Sequence, residues 1–229
     1  MRRFEDLPED MRTPEVKEYY DCLAPRRGYR FLKRAFDIVA AAVLTVILAI
    51  PMAVIAIRIK TSSPGPVFFR QTRVTRYGKT FRIFKFRTMV TDAEAVGPQV
   101  TVDEDPRVTA IGHSLREHRL DEIPQLFNIL AGSMTFVGTR PEVPKYAAAY
   151  TPAMKATLLM PAGLTSRTSI AFKDEAKMLE AAKSPEEADR IYIEEVLPRK
   201  MKYNLENLKN CGAKEDLRVL FQTLGVVGK

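Results

Sequence analysis

Apolar residues run almost without interruption from Ala35 to Ile57, and Asp37, near the start, is the only ionisable group in the run. As a helix at 1.5 Å per residue this stretch reaches roughly 35 Å, enough to enter or cross a bilayer. Lys33 and Arg34 precede it, and Arg58 and Lys60 follow it. A crossing helix shows a one-sided Lys/Arg excess on its cytoplasmic side, so basic residues at both ends predict that both ends stay on that side. Pro51 lies inside the run. It has no N–H for the Ile47 carbonyl and its ring pushes on that turn, which predicts a bend. A re-entrant helix over 33–60 that bends at Pro51 satisfies both features; a straight span with a tolerated proline is the alternative. A secretory signal does not fit, because a long polar stretch precedes the run and no small-residue cleavage site follows it.

Downstream the pattern changes. Val67 to Thr72 and Thr80 to Thr88 read as short strands around a Tyr77-Gly78-Lys79 turn. Ile123, Leu126, Phe127 and Leu130 form an apolar stripe at helix spacing, and Pro124 is acceptable only in a first turn. A helix starting near Asp121, with Asp121 at or near its N-cap, follows. Asp174 to Lys183 and Pro185 to Asn210 read as helices, the second capped by Ser184. Lys214 to Leu224 reads as an amphipathic helix with Leu217, Leu220, Phe221 and Leu224 on one face, for the core or for a membrane interface. Residues 1–27 mix charge and proline and predict a peripheral N-terminal extension, mobile around Cys22. The predicted fold is mostly α with a small β-hairpin: one unit over 28–229, with residues 61–229 outside the membrane.

The 229 residues are 46% apolar and 28% charged, which fits a globular chain and excludes wholesale disorder. The net charge of +8 predicts an anionic partner. Its source is local. From Ile38 through Thr91 there is no Asp or Glu, yet the stretch holds Arg58, Lys60, Arg70, Arg73, Arg76, Lys79, Arg82, Lys85 and Arg87, interleaved with aromatics. Beside a membrane segment such cations attract anionic headgroups, at about 1 kcal/mol each near the surface, and they also suit substrate phosphates. Nucleic acid needs the same patch but leaves the apolar run unexplained, so no nucleic-acid partner is predicted. Cys22 and Cys211 have neither metal-ligand spacing nor a disulfide framework and read as free thiols in a reducing compartment. His113 and His118, five apart, read as solvated or partner-facing.

The acidic pair changes the picture. On a helix, Asp121, Gln125 and Asn128 share a face and Glu122 points about 100° away. One carboxylate attacking phosphorus gives an acyl phosphate while the other holds a cation or steers a proton. Two adjacent anions require a divalent cation, with magnesium the natural choice, and Arg or Lys on the phosphates. The same pair also reads as a helix cap. Neither GxxxxGK[ST] nor GxGxxG is present.

Several stretches, in order, resemble the bacterial sugar transferase family, the monotopic polyprenyl-phosphate phosphoglycosyl transferases. They are FLKRAFDIVAA (31–41), the apolar run with Pro51, SPGPVFFRQTRVTRYGKTFRIFKFRTM (63–89), SLREHRLDEIPQLFNILAGSMTFVGTRPE (114–142) and PAGLTS (161–166). The resemblance implies a monotopic protein on the cytoplasmic face of the bacterial inner membrane, with a re-entrant hairpin broken at Pro51 and a cytoplasmic catalytic domain. It implies transfer of a phosphosugar from a UDP-sugar to undecaprenyl (polyprenyl) phosphate, with UMP released, as the initiating step of surface glycan or exopolysaccharide synthesis. Asp121 resembles the family's nucleophile, which carries a covalent phosphosugar. Glu122 resembles its dyad partner, acting on Mg2+ or on the acceptor phosphate. Arg116, Arg140, Lys85 and Arg87 match the family's basic positions, with phosphate-binding roles, and structural ones too for the last two. A homo-oligomer is left open. Ile50, Ser133, Thr139 and the segment after Gly163 depart from the usual pattern; the last two bear on sugar or nucleotide contacts. The competing reading is a membrane-anchored interaction protein without chemistry.

Overall fold

The computed structural model describes residues 1–91, 93, 105–172, 175–179, 182 and 184–227. Thr13 accepts a hydrogen bond from the Val16 N–H and Pro14 takes the first helical position, so α1 (Pro14–Leu23) starts where these two residues favour a start. Its apolar side is not peripheral. Leu7, Met11, Val16 and Leu23 are buried against Tyr77, Ala156, Leu159 and Leu208. The extension expected to be peripheral instead contributes apolar residues of its first 23 positions to a core cluster, and Cys22 is half-buried within α1. Cys211 is likewise a half-buried free thiol.

The apolar run folds as α2 (Arg27–Ile47) and α3 (Ala49–Ser62), bent by 61° at Leu48. Pro51 lies in the first turn of α3 and cannot bond the Ile47 carbonyl, so the axis changes direction just after Ile47. Among the described residues no single helix is long and apolar enough to cross a membrane, but this bent pair passes together by length and composition. Its apolar surface is largely uncovered: Val46 and Ile50 are each 77% exposed.

The start of α2 is bound into the rest of the molecule. Lys33 pairs with Asp216 at 2.8 Å, and Arg34 donates to the carbonyls of Ile129 (2.6 Å) and Leu130 (2.9 Å). Both basic residues that precede the run thus serve internal contacts. Asp37, the lone acid of the run, is buried and accepts from Thr135 Oγ1 (2.7 Å) and the Phe136 N–H (3.1 Å). A carboxylate in that setting is tolerated because both bonds reach its charged form.

Strands β1 (Phe68–Val74) and β2 (Thr80–Phe86) pair antiparallel, with Phe68 opposite Phe86 and Val74 opposite Thr80. They join through a tight turn in which Tyr77 (φ 62°) and Gly78 (φ 70°) are both left-handed. Tyr77 tolerates this conformation while buried, its ring under Arg2 and its hydroxyl accepting from the Arg2 N–H. After α4 (Ala110–Glu117) comes a 3-10 turn, Leu120–Glu122, and only then α5 (Gln125–Leu130). β3 (Met134–Val137) and β4 (Ala162–Thr165) form a second, parallel pair. Between them lie α6 (Pro144–Ala147) and a 3-10 segment, Met154–Leu159. Leu126 and Ile129 of α5 pack with Ala41 of α2, Ile83 of β2 and Met134 and Phe136 of β3, so one cluster joins the bent pair, the hairpin and the second sheet.

The C-terminal part is helical: α7 (Arg167–Ala171), α8 (Pro185–Ile191), α9 (Leu197–Asn210) and α10 (Ala213–Val227). Ser184 caps α8 as the sequence predicts. The expected helix over 185–210 is interrupted by a π-helical turn, Tyr192–Val196, just before Pro198, whose missing N–H leaves the ladder one bond short. The predicted helix 174–183 is a 3-10 segment where described, Glu175–Leu179; residues 174, 180, 181 and 183 lie outside the described residues. His113 and His118 are exposed, as read from their spacing.

Asp37→Ala strands two buried donors at the junction of α2 and β3. We expect a loss of about 3 kcal/mol, measured by denaturant unfolding in detergent; an unchanged midpoint would show that the tether carries no load.

Candidate active site

The acidic pair is set by backbone geometry. Arg119 is left-handed (φ 55°) and turns the chain out of α4; Glu122 N–H then bonds the Arg119 carbonyl and Ile123 N–H the Leu120 carbonyl. Pro124 has no N–H to continue an α-helical ladder, so the turn stays 3-10 and α5 begins at Gln125, with Pro124 as its N-cap. The expected N-cap role of Asp121 is corrected: it lies inside the 3-10 turn, and both Asp121 and Glu122 are buried. Asn128 is not free for the acidic face. It accepts from the Phe84 N–H (2.8 Å) and donates to the Arg82 carbonyl (3.0 Å), fastening α5 to the edge of β2.

That fastening sets Lys85. Its ammonium lies 2.8 Å from Glu122 Oε1 and 3.5 Å from Asp121 Oδ2. Arg140, from the loop after β3, bonds the same Glu122 carboxylate through both terminal nitrogens, at 2.5 and 3.4 Å. Burial alone would push the Glu122 carboxyl up; Arg140 and Lys85 outweigh it and hold the carboxyl well below its ordinary value. Glu122 in turn raises the Arg140 guanidinium. Arg116, in the last turn of α4, is half-buried; burial lowers it, and Asp121 and Asp105 pull it back up. Thus Asp121, Glu122, Lys85 and Arg140 come together and Arg116 lies near them. Arg87 does not join them. It is buried and donates to the Pro64 carbonyl (2.6 Å) and to the Ser63 carbonyl (2.8 Å) and hydroxyl (2.7 Å), holding the turn that leaves α3. Pro51 lies in the bent pair, away from this cluster, as a break of the helix.

A second charged network stands behind Arg140, and sequence reading missed it. Glu142 is buried and accepts from Tyr192 Oη (2.7 Å) and Lys200 Nζ (3.2 Å); Lys200 also pairs with Glu175 (2.9 Å). Arg73 Nη1 donates to the Pro141 carbonyl, and the Val74 N–H to that of Glu142. Burial works against the Glu142 carboxylate, but Lys200, Tyr192 and Arg73 bring it below its ordinary value of 4.5. The signal was an acid directly after the Arg140-Pro141 step, with its partner Lys200 far along the chain.

Backbone contact completes the support. The Gly163 N–H donates to the Thr139 carbonyl at 2.8 Å, and a Cβ on Gly163 would lie 2.2 Å from the Gly138 oxygen. Gly138, Thr139, Ser166 and Arg167, from the segments that depart from the family pattern, line a cavity of about 60 Å³ with Tyr29 and Lys33. The acidic pair does not line it.

Among the described residues no group of three or more His, Cys, Asp or Glu side chains comes together. The donor set is therefore two carboxylates, one already bonded by two cations. That fits a magnesium ion taking one or two carboxylates and the rest of its ligands from phosphates and water, with Asp121 and Glu122 as its protein ligands.

Residues 28–229 match the family model described as bacterial sugar transferase. The chain is similar to an Escherichia coli K12 protein named UDP-glucose:undecaprenyl-phosphate glucose-1-phosphate transferase, 38% identical over 193 residues, 82% of this chain and 41% of the relative. It is 45% identical over 120 residues to the UDP-N-acetylgalactosamine-undecaprenyl-phosphate N-acetylgalactosaminephosphotransferase of Aeromonas hydrophila, 52% of this chain and 28% of that one. It is 30% identical over 217 residues to the undecaprenyl-phosphate galactose phosphotransferase of Salmonella typhimurium, 88% of this chain and 41% of the relative. The chain spans less than half the length of these curated relatives.

Glu142→Gln removes a buried charge from its partners and leaves Lys200 undercompensated. At pH 7 we expect a loss of about 3 kcal/mol of stability. Because folding depresses this carboxyl, its contribution is complete above the ordinary value of 4.5 and is lost as pH falls through the lower folded value. The gap between wild type and variant should therefore close below about pH 4.5; unfolding midpoints across pH check this.

Proposed function

The chain belongs to the bacterial sugar transferase family, and on that premise we propose that it is a phosphoglycosyl transferase. It moves a sugar-1-phosphate from a UDP-sugar to undecaprenyl phosphate at the cytoplasmic face of the membrane, and so initiates a lipid-linked surface glycan. The family match and the named activities of the relatives support this. The bent apolar pair supports a monotopic attachment, with both ends of residues 33–60 on one side.

The observation that carries the chemistry is the unequal treatment of two neighbouring carboxylates. Among the described residues, Glu122 is held by Lys85 and Arg140, whereas Asp121 has one long hydrogen bond, from Lys85. Asp121 is thus the less committed group and the better nucleophile. Its oxygen attacks the β-phosphorus of the UDP-sugar, a P–O bond to the α-phosphate breaks, and UMP leaves with the electron pair. The phosphosugar stays on Asp121 as an acyl phosphate. An oxygen of the lipid phosphate then attacks that phosphorus and returns Asp121 as a carboxylate. Lys85, Arg140 and Arg116 sit where charge builds on the transferring group and stabilise it without reorganising. Glu122 fixes Lys85 and Arg140 and steers the acceptor. Magnesium, when bound at Asp121 and Glu122, supplies further neutralisation of phosphate charge.

The test is UMP release by the purified protein with magnesium, undecaprenyl phosphate and UDP-sugars, beginning with the glucose, galactose and N-acetylgalactosamine donors named for the relatives. Asp121→Asn should leave the protein folded and membrane-bound, abolish the phosphosugar adduct seen by intact mass, and lower turnover by at least about 10³-fold. Wild-type turnover in that variant would favour a non-catalytic membrane-anchored protein. Separately, single cysteines placed before residue 33 and after residue 60 should both be labelled from the cytoplasmic side; labelling from opposite sides would replace the re-entrant pair by a span.

A further inference from the structure

The stretch without acids, Ile38 to Thr91, leaves its cations to find other partners. Among the described residues only Lys85 of the nine reaches a carboxylate. Lys60, Arg73, Arg82 and Arg87 each spend a donor on a backbone carbonyl. Arg70 spends none among the described residues, and Arg82 stands beside it. The register pairs Arg70 with Phe84 and Thr72 with Arg82, so the two arginines are diagonal neighbours on one face of the hairpin. Arg82 Nη2 donates to the Arg70 carbonyl at 3.2 Å, which brings the second guanidinium to the backbone of the first. Like charges this close oppose folding unless something else requires them.

Arg70 is held in a particular way. Its Cζ lies 3.5 Å from the centre of the Phe84 ring, and its Nε is buried without a hydrogen-bond partner among the described residues. Stacking uses the flat face of a guanidinium and none of its N–H groups, so the two terminal nitrogens stay in plane and available while Nε is buried. A planar fork of free donors with a second guanidinium beside it matches the oxygens of a phosphate. Two positive charges match a phosphomonoester, close to doubly charged at neutral pH, better than the single charge of a phosphodiester.

The surroundings give the direction of approach. Phe84 meets Phe68 and Phe127 edge to face, and Phe68 stacks on Phe86. Phe86 is buried beside Ile59, Met52 and Ile55 of α3, the second arm of the bent apolar pair, and Phe68 remains 38% exposed. The Arg70 face thus adjoins the apolar pair. The next residue along β2, Lys85, points to the opposite face and the acidic pair. We propose that Arg70, stacked on Phe84 with Arg82 beside it, is an entry site that captures the phosphate of the lipid acceptor at the membrane surface, on the hairpin face opposite Lys85 and the acidic pair. The identity of the lipid as acceptor rests on the proposed function above; the phosphate site itself does not.

The experiment uses the full chain in phosphatidylcholine nanodiscs, with farnesyl phosphate as the monoester probe and phosphatidylglycerol as the diester competitor. Arg70→Gln should weaken farnesyl phosphate binding about tenfold, with Arg70→Lys in between because it keeps charge but not the planar fork. In the turnover assay the KM for undecaprenyl phosphate should rise about tenfold in Arg70→Gln while the KM for the UDP-sugar does not move. Arg82→Gln, at an exposed position, should give a smaller shift in the same sense and serves if Arg70→Gln fails to fold. Unchanged farnesyl phosphate binding in both variants overturns the proposal, as does equal competition by phosphatidylglycerol, which would mark a general headgroup patch. If the wild type binds farnesyl phosphate through Arg70 yet releases no UMP from any donor, the capture site stands and the transferase reading falls. Active protein with an unmoved acceptor KM in Arg70→Gln gives the reverse.

Discussion

The Glu122 carboxylate, bonded at once by Lys85 and Arg140, is the contact on which the rest of the site depends. Lys85 comes from the hairpin, Glu122 from the 3-10 turn and Arg140 from the loop after β3, so three separately folded segments meet at one carboxyl group. Taking such charges out of water is costly, and only close mutual pairing offsets the cost. The arrangement therefore exists only when the hairpin, α5 and the second sheet are all in place. Asn128 and Thr75 make that assembly: Asn128 holds α5 to β2, and Thr75 donates to the Ser133 carbonyl while accepting from the Ala162 N–H. The alternation of sign continues outward through Glu142, Lys200 and Glu175. Arg140 thus stands in the field of Glu122, Asp121 and Glu175 together.

The bent apolar pair is joined to this assembly by polar contacts rather than by apolar packing alone. Asp37 reaches Thr135 and Phe136 on β3, and Arg34 caps the C-terminal carbonyls of α5, where a cation also complements the helix dipole. These bonds are directional, so they set the orientation of α2 relative to the acidic turn. Tied in this way, the bent pair holds a set position relative to the turn that carries Asp121.

Much of this was legible in the sequence. The length of the apolar run, the bend near Pro51, and the hairpin and its turn follow from hydropathy, proline chemistry and turn residues, which act locally; the last helix also forms, but Leu217, Phe221 and Leu224 of its predicted stripe stay exposed while Val219 is buried, so most of that stripe does not join the core. The misses have physical causes. Asp121 was expected at a helix cap because spacing does not reveal that Pro124 and a left-handed Arg119 hold the turn in 3-10 form. Residues 1–27 read as peripheral because Leu7, Met11, Val16 and Leu23 are spread thinly among charges and find their partners far along the chain, at Tyr77, Leu159 and Leu208. Lys85 and Arg87 share a strand's alternation, yet the strand ends at Phe86 and Arg87 turns to the Ser63 carbonyl. The Glu142–Lys200 pairing joins residues 58 positions apart, and no local pattern announces it.

The contact between Gly138 and Gly163 has a consequence for how the protein can vary. Because two main chains touch there with no room for a methyl group, neither position can be used to reshape the neighbouring cavity. Diversity has to be carried by the side chains just beyond, at Thr139 and from Leu164 to Ser169, while the peptide frame beneath them stays constant. A chain built this way can change the side chains that line this cavity without moving the arginine that follows.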